Sequence, residues 1–185
     1  MKVVVGISGA SGATYALSLL KVLKEKGVET HLVISKPAEI IIRSELNLEK
    51  EDFFKYAMKH YDINDLAAPI ASGSQKFDAM VIIPCSMASI AAISQGYCSN
   101  LLLRVADVSI KERRKLILVP RETPLSPIHL ENMLKLAKLG VYIIPACPGF
   151  YHRPNDIAGL VDFIVGKVLD VLGVEHQLYQ RWRGH

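Results

Sequence analysis

The first fifteen residues constrain the fold of this chain more than any other stretch. Lys2-Val3-Val4-Val5 is an apolar, β-branched run that reads as a strand buried on both faces. Gly6-Ile7-Ser8-Gly9-Ala10-Ser11-Gly12-Ala13-Thr14-Tyr15 follows at once. Ala16, Leu17, Leu19, Leu20, Val22 and Leu23 then recur at roughly helical spacing, so a helix begins near Ser11 or Gly12. A strand, a glycine-and-serine turn and a helix in direct succession make an anion site. Glycine lets the backbone come close to a ligand, and the unpaired N–H groups of the first helical turn point at negative charge. A bare tight turn is the plainer alternative, but a turn this rich in Gly and Ser after a first strand favours a phosphate or cofactor cradle.

The rest of the chain repeats the alternation. Gly27 is a helix C-cap, and Glu29-Thr30-His31-Leu32-Val33-Ile34 reads as a second strand. A NAD-binding unit would carry an Asp or Glu near the end of that strand, where this chain has Ser35-Lys36, and its glycine motif is GxxGxxG rather than GxGxxG. NAD is thereby disfavoured, and a mononucleotide such as FMN fits better. Pro37 to Glu45 makes a short helix, Asn47 to Tyr61 a peripheral helix and loop, and Leu66 to Ser74 a loop of small residues able to border a ligand.

Ala79-Met80-Val81-Ile82-Ile83 is a buried strand, and Pro84-Cys85-Ser86-Met87-Ala88-Ser89 turns into an apolar helix, repeating the opening design. Two such turns in one parallel sheet converge on one crevice at the strand C-termini. Asn100 to Lys115 reads as a helix with a basic side, and Leu116 to Val119 as a strand ending at Pro120-Arg121-Glu122-Thr123-Pro124. An adjacent Arg and Glu at a strand's C-terminal end point to function rather than to a surface ion pair. Ser126 to Leu139 is a helix, Val141 to Ile144 a final strand, and Asp156 to Leu172 a last helix. The alternation predicts an α/β fold: one doubly wound, Rossmann-like or flavodoxin-like domain with a mostly parallel sheet over residues 1–185, with a C-terminal tail from about 175.

Composition narrows the class. Half of the 185 residues are hydrophobic, mean hydropathy is +0.25, and no run approaches the roughly 18 apolar residues of a membrane helix. The start lacks a signal peptide's hydrophobic segment, so the expectation is a cytoplasmic protein that buries apolar surface between subunits. Three cysteines without CxxC spacing suggest reduced thiols. The six histidines include no HxxxH pair, which argues against a structural zinc site. A net charge of +4, with one interrupted basic cluster at 111–115 and no interleaved aromatics, argues against a nucleic-acid partner.

Gly9-Ala10-Ser11-Gly12, Ile34-Ser35-Lys36, Pro84-Cys85-Ser86, Ala106-Asp107-Val108 before Lys111-Glu112-Arg113, Pro120 to Ser126 with His129 to Met133, and Pro148-Gly149-Phe150-Tyr151 together resemble the UbiX/Pad flavin prenyltransferases, formerly described as aromatic-acid decarboxylases. The similarity runs over nearly the whole chain. It implies transfer of a dimethylallyl group from dimethylallyl phosphate to N5 and C6 of reduced FMN. The prenylated FMN would serve UbiD-type decarboxylases of quinone (ubiquinone) biosynthesis or aromatic-acid breakdown. It also implies a large homo-oligomer, commonly a dodecamer, with FMN at a subunit junction.

By the same resemblance, FMN would be held by Gly9, Ala10, Ser11, Ser35, Ser86, Met87, Ala88, Ser89 and Arg121. The chain has no DDxxD motif for Mg²⁺, so no metal is expected. The departing phosphate would instead lie in a cage of Arg104, Lys111, Arg121, Tyr151 and Lys167, some of them from a neighbouring subunit. Lys167 keeps the charge of a frequent arginine without its bidentate fork. Ser11 and Glu45 are candidates for handling protons near N5, Glu122 for acid or base work, and Lys111 for a catalytic charge, with Trp182 covering the prenyl group. Two rivals stand beside this reading. A flavin-dependent cysteine decarboxylase would carry Pro-Ala-Ser-Ala-Asn-Thr where this chain has Pro84-Cys85-Ser86-Met87-Ala88-Ser89. A non-catalytic FMN carrier would not need the cage.

Overall fold

The computed structural model describes residues 1–182 and residue 184. Six strands, β1 (Lys2–Ile7), β2 (Glu29–Ile34), β3 (Lys59–Tyr61), β4 (Ala79–Cys85), β5 (Lys115–Pro120) and β6 (Tyr142–Ile143), form one sheet in the order β3-β2-β1-β4-β5-β6. Every pairing is parallel, so the sheet is wholly rather than mostly parallel. A parallel sheet must be covered on both faces, which is why its strands read as unbroken apolar runs. All seven residues of β4 are buried.

Helices α1 (Ala13–Glu25), α2 (Lys36–Leu46), α3 (Glu51–Phe54) and α7 (Ile157–Leu172) cover one face. On the other face lie α4 (Met87–Ser94), α5 (Leu101–Lys111), α6 (Pro127–Lys138) and a 3₁₀ turn at Pro69–Ala71. The strand order reverses between β1 and β4, so the loops after these two strands part to opposite faces and leave a crevice between them.

Two segments differ from the sequence reading. The peripheral stretch 47–61 contains the edge strand β3, whose residues are mostly exposed and so carry no apolar signature. Its partner strand supplies the reason for pairing: buried His31 lies 2.8 Å through Nδ1 from the Tyr61 hydroxyl and stacks on that ring. The helix expected over Asn100–Lys115 ends at Lys111, because Arg113 turns to a left-handed φ of 55° and Lys115 already belongs to β5.

The opening turn requires glycine at two positions. At Gly9 an added Cβ would lie 2.4 Å from Cβ of Pro37, so the turn rests directly on the start of α2. Gly12 caps α1 with a φ of 116°, which costs an L side chain strain that glycine avoids. We expect Gly9→Ala to lower unfolding stability in urea by about 1–3 kcal/mol, the usual cost of overpacking a filled site.

Candidate active site

Ser8 joins the two turns that border the crevice. Its buried hydroxyl donates to the carbonyl of Pro84 at 3.0 Å and accepts the N–H of Ser86 at 2.7 Å, while its own N–H also reaches Pro84. The end of β1 is thereby locked to the start of α4. Ser86 in turn caps α4, its Oγ accepting the N–H of Ser89 at 3.2 Å and lying 3.0 Å from the Ser89 hydroxyl. Ser35 caps α2 in the same way through the N–H of Ala38. Ser8 was absent from the sequence-derived site, although a hydroxyl directly after an apolar strand was available as a signal.

The N-terminus of α1 differs from the anion cradle expected of it. Glu45, near the end of α2, accepts the N–H groups of Gly12 and Ala13 at 2.9 Å each through Oε2, with a further 3.1 Å contact from Gly12 to Oε1. The carboxylate of the chain itself takes up the helix N–H groups and complements the positive end of the dipole. This correction also places Glu45 against the residue next to Ser11, so the two candidate proton-handling groups border one turn.

Arg121 follows β5 at the same end of the sheet. Its Nε is buried without a hydrogen-bond partner, an arrangement that a protein tolerates at a site made for an acceptor from elsewhere. Met87, Glu122, Leu125, Met133, Ala146 and Cys147 share with it the lining of a cavity of about 90 Å³. Glu122 is exposed and accepts the N–H of Thr123 at 3.1 Å, so its carboxylate is held by its own turn. Tyr15 links these groups to the opening turn. Burial raises the Tyr15 hydroxyl above its ordinary range, Cys147 and Glu45 add to the effect, and the Arg121 charge opposes it.

A second cluster lies along α7. Tyr151 meets Phe163 edge-on at 5.8 Å and Trp182 at 5.7 Å, and the Lys167 ammonium lies 5.5 Å from the Phe163 ring centre. The structure therefore brings Tyr151, Lys167 and Trp182 to one aromatic surface, at the end of the loop that carries Cys147. His152 stacks on Phe163 at 5.1 Å with its Nδ1 buried and unpartnered. Asp170, one turn beyond Lys167, accepts the Tyr179 hydroxyl at 2.7 Å and both forks of Arg181 at 2.5 and 3.3 Å. Burial works against ionisation of Asp170, but these bonds and one from His176 outweigh it and hold the carboxyl at about 2.

Arg104 and Lys111 do not join either cluster within the chain. The Arg104 guanidinium is held by the Ala71 carbonyl at 3.1 Å and by Asp107 at 2.6 Å. Lys111 pairs with Glu112 beside Gly73. Lys111 ends α5 just ahead of β5, whereas Arg121 follows the far end of that strand, a rise of roughly 20 Å. The five-residue cage expected from the sequence is thus split in a single chain. Seven residues apart, Arg104 and Lys111 share a face of α5 bordered by the 69–74 segment.

Residues 1–169 match the family model described as Flavoprotein. The chain is 49% identical over 182 residues to the flavin prenyltransferase UbiX of Methanocaldococcus jannaschii, covering 98% of each. A solved dodecameric FMN-dependent UbiX-like decarboxylase from Escherichia coli O157:H7 superposes with a TM-score of 0.97 at 47% identity, over 100% of both chains. AnUbiX (PadA1), solved in complex with FMN and dimethylallyl pyrophosphate, gives 0.97 at 44% identity over 100% of this chain and 98% of its own. The peptidyl-cysteine decarboxylase EpiD, at 17% identity and a TM-score of 0.67 over 92% of this chain and 97% of its own, shares the fold alone.

The linkage of Asp170 has a defined sign. A carboxyl depressed from about 3.9 adds stability that is complete above that value and lost as pH falls through its folded value. In urea unfolding, the advantage of wild type over Asp170→Asn is expected to hold from pH 7 to about pH 5 and to shrink between about pH 4 and pH 2. A difference unchanged over that range would remove the network's role.

Proposed function

The chain belongs to the flavoprotein family, among its UbiX/Pad flavin prenyltransferases, and we propose on that basis that it moves a dimethylallyl group from dimethylallyl phosphate to reduced FMN. The observation that carries the reading to individual residues is the buried, unpartnered Nε of Arg121 beside Glu122, where the crevice of the sheet opens. A buried guanidinium nitrogen that lacks an acceptor is prepared for a flavin or phosphate oxygen. Gly9, Ala10 and Ser11 offer close-approaching backbone, and Ser35, Ser86 and Ser89 offer hydroxyls and helix N-termini. Met87 and Ala88 complete that side. These residues fit FMN, which when bound and reduced supplies the nucleophilic N5 and C6.

The chain's own contribution is to stabilise the departing phosphate and to manage protons. As the donor's C–O bond breaks, charge gathers on phosphate oxygens, and Lys167, Tyr151 and Arg121 supply a cation, a hydroxyl donor and a fork to receive it. Fixed cations of this kind support a reaction that needs no metal. Trp182 and Tyr151 offer an apolar wall to the prenyl carbons. Glu122 is placed to protonate the leaving phosphate or accept a proton in ring closure, and Ser11 with Glu45 to hold a proton at the opening turn.

Arg104 and Lys111 complete the cage only on a neighbouring copy. A cavity of about 90 Å³ is far below the roughly 300 Å³ at which ligand pockets begin, which supports a site closed by a second subunit. We therefore read the working form as a homo-oligomer, with a dodecamer as the model offered by the Escherichia coli relative. Residues 1–185 form one FMN-binding domain with a tail from about 175. Among the described residues no helix is long and apolar enough to cross a membrane. The cysteines are free thiols, which supports a reducing, cytoplasmic setting. The recipient of the product is a UbiD-type decarboxylase.

Incubation with reduced FMN and dimethylallyl phosphate, followed by mass spectrometry of the flavin, tests the activity. A flavin heavier by one C5 unit is expected, and unchanged mass with FMN bound would favour a carrier. Glu122→Gln should bind FMN normally while turnover falls roughly 10²–10⁴-fold, the range for losing a general acid or base. Ser11→Ala should fold and bind flavin with impaired prenylation, and full activity in that variant would remove Ser11 from proton handling.

A further inference from the structure

The segment from His176 to Arg181 is pinned to α7 by several side-chain bonds. Chain ends fray unless something ties them down. Here Asp170 receives the Tyr179 hydroxyl, the Arg181 fork and, at 3.1 Å, Nε2 of His176. The Leu178 N–H donates to His176 Nδ1 at 3.3 Å, so Nδ1 is an acceptor and the ring proton sits on Nε2, facing Asp170. Gly166 makes room for this docking. A Cβ there would lie 2.5 Å from the Tyr179 ring and 2.7 Å from His176 Cε1. Glycine is a poor residue for a helix interior, and its place in α7 lets the tail lie directly on the helix backbone.

Docked in this way, the Tyr179 ring is buried between working groups. It packs on Phe163 at 5.0 Å, with the Lys167 ammonium 5.3 Å and the Arg181 guanidinium 5.6 Å from its centre. Trp182 is the next residue after Arg181, and it meets Tyr151 edge-on. One carboxylate at the end of α7 thus governs both sides of the aromatic surface. It seats a ring against Lys167, and it delivers the indole to Tyr151.

We propose that Asp170 and Tyr179 are positioning residues for the prenyl-donor site: the Asp170 latch docks the tail in the groove left by Gly166 and so sets Lys167 and Trp182 relative to Tyr151. The inference rests on the reading of Tyr151, Lys167 and Trp182 as donor-binding residues. It assigns no contact with the donor to Asp170 or Tyr179 themselves. A purely structural tail would stabilise the chain without altering how the donor is bound.

Trp182 is the only tryptophan in the chain, so its emission reports the latch directly. Tyr179→Phe removes one hydroxyl, and Gly166→Ala wedges the tail from the helix while improving helix propensity. FMN affinity, Trp182 emission and the kinetics with dimethylallyl phosphate would be measured for both variants in the full chain. The expected result is a red-shifted, more quenchable emission, unchanged FMN affinity, and a KM for dimethylallyl phosphate raised about tenfold with kcat altered less, as for lost ground-state binding. Shifted emission with wild-type KM in both variants would make the latch merely structural and overturn the proposal, as would wild-type emission in both. Absence of C5 transfer by the wild-type protein would instead defeat the reading of function, while the emission still reports whether the tail is latched.

Discussion

Strand order reverses between the paired strands β1 and β4, and beyond their ladder a buried serine ties the two strand ends together. Where strand order reverses, the following loops part to opposite faces and open a crevice. Parting loops leave backbone groups that must find partners away from water. Ser8 answers both needs by accepting from Ser86 and donating to Pro84. That tie joins the opening turn to the start of α4.

Charge is then distributed around the crevice by a simple rule: every exposed helix N-terminus and every buried cation needs a counterpart. At α1 the counterpart is internal, since Glu45 takes the first N–H groups. At Arg121 it is not, because one buried guanidinium nitrogen has no partner in the chain. The contrast separates a group whose bonding is completed within the fold from one whose bonding is not. The cations of α5 form a third case, engaged by Asp107, Ala71 and Glu112 and distant from Arg121. The chain also leaves Ile128, Leu130 and Leu134 of α6 exposed, an apolar surface of the kind that marks contact between proteins.

The aromatic surface of α7 shows how local packing decides chemistry. Tyr151, Lys167 and Trp182 lie in separate parts of the sequence; the first two meet at Phe163 of α7, and the tail brings Trp182 to Tyr151. Burial raises the Tyr179 hydroxyl to about 12, and its bond to the Asp170 carboxylate adds to the shift. A phenol so held keeps its proton, and with it its donor role to Asp170, beyond its ordinary value of about 10.

The sequence by itself determined the layered α/β architecture, because parallel strands buried on both faces must be continuous apolar runs, as at Val3–Val5 and Ala79–Ile83. Asn100 and Ser126 marked helix starts for an equally local reason, since an N-cap bonds within its own turn. The turn after β1 and the Arg-Glu pair after β5 were legible in the same way. β3 was not, since an exposed three-residue edge is specified by its partner strand rather than by its own pattern. The tertiary structure alone decided that Glu45 reaches the start of α1, that Ser8 bridges β1 to β4, and that Asp170 gathers the tail. Each of these contacts joins residues whose spacing carries no period, so only the folded chain could bring them within hydrogen-bonding distance.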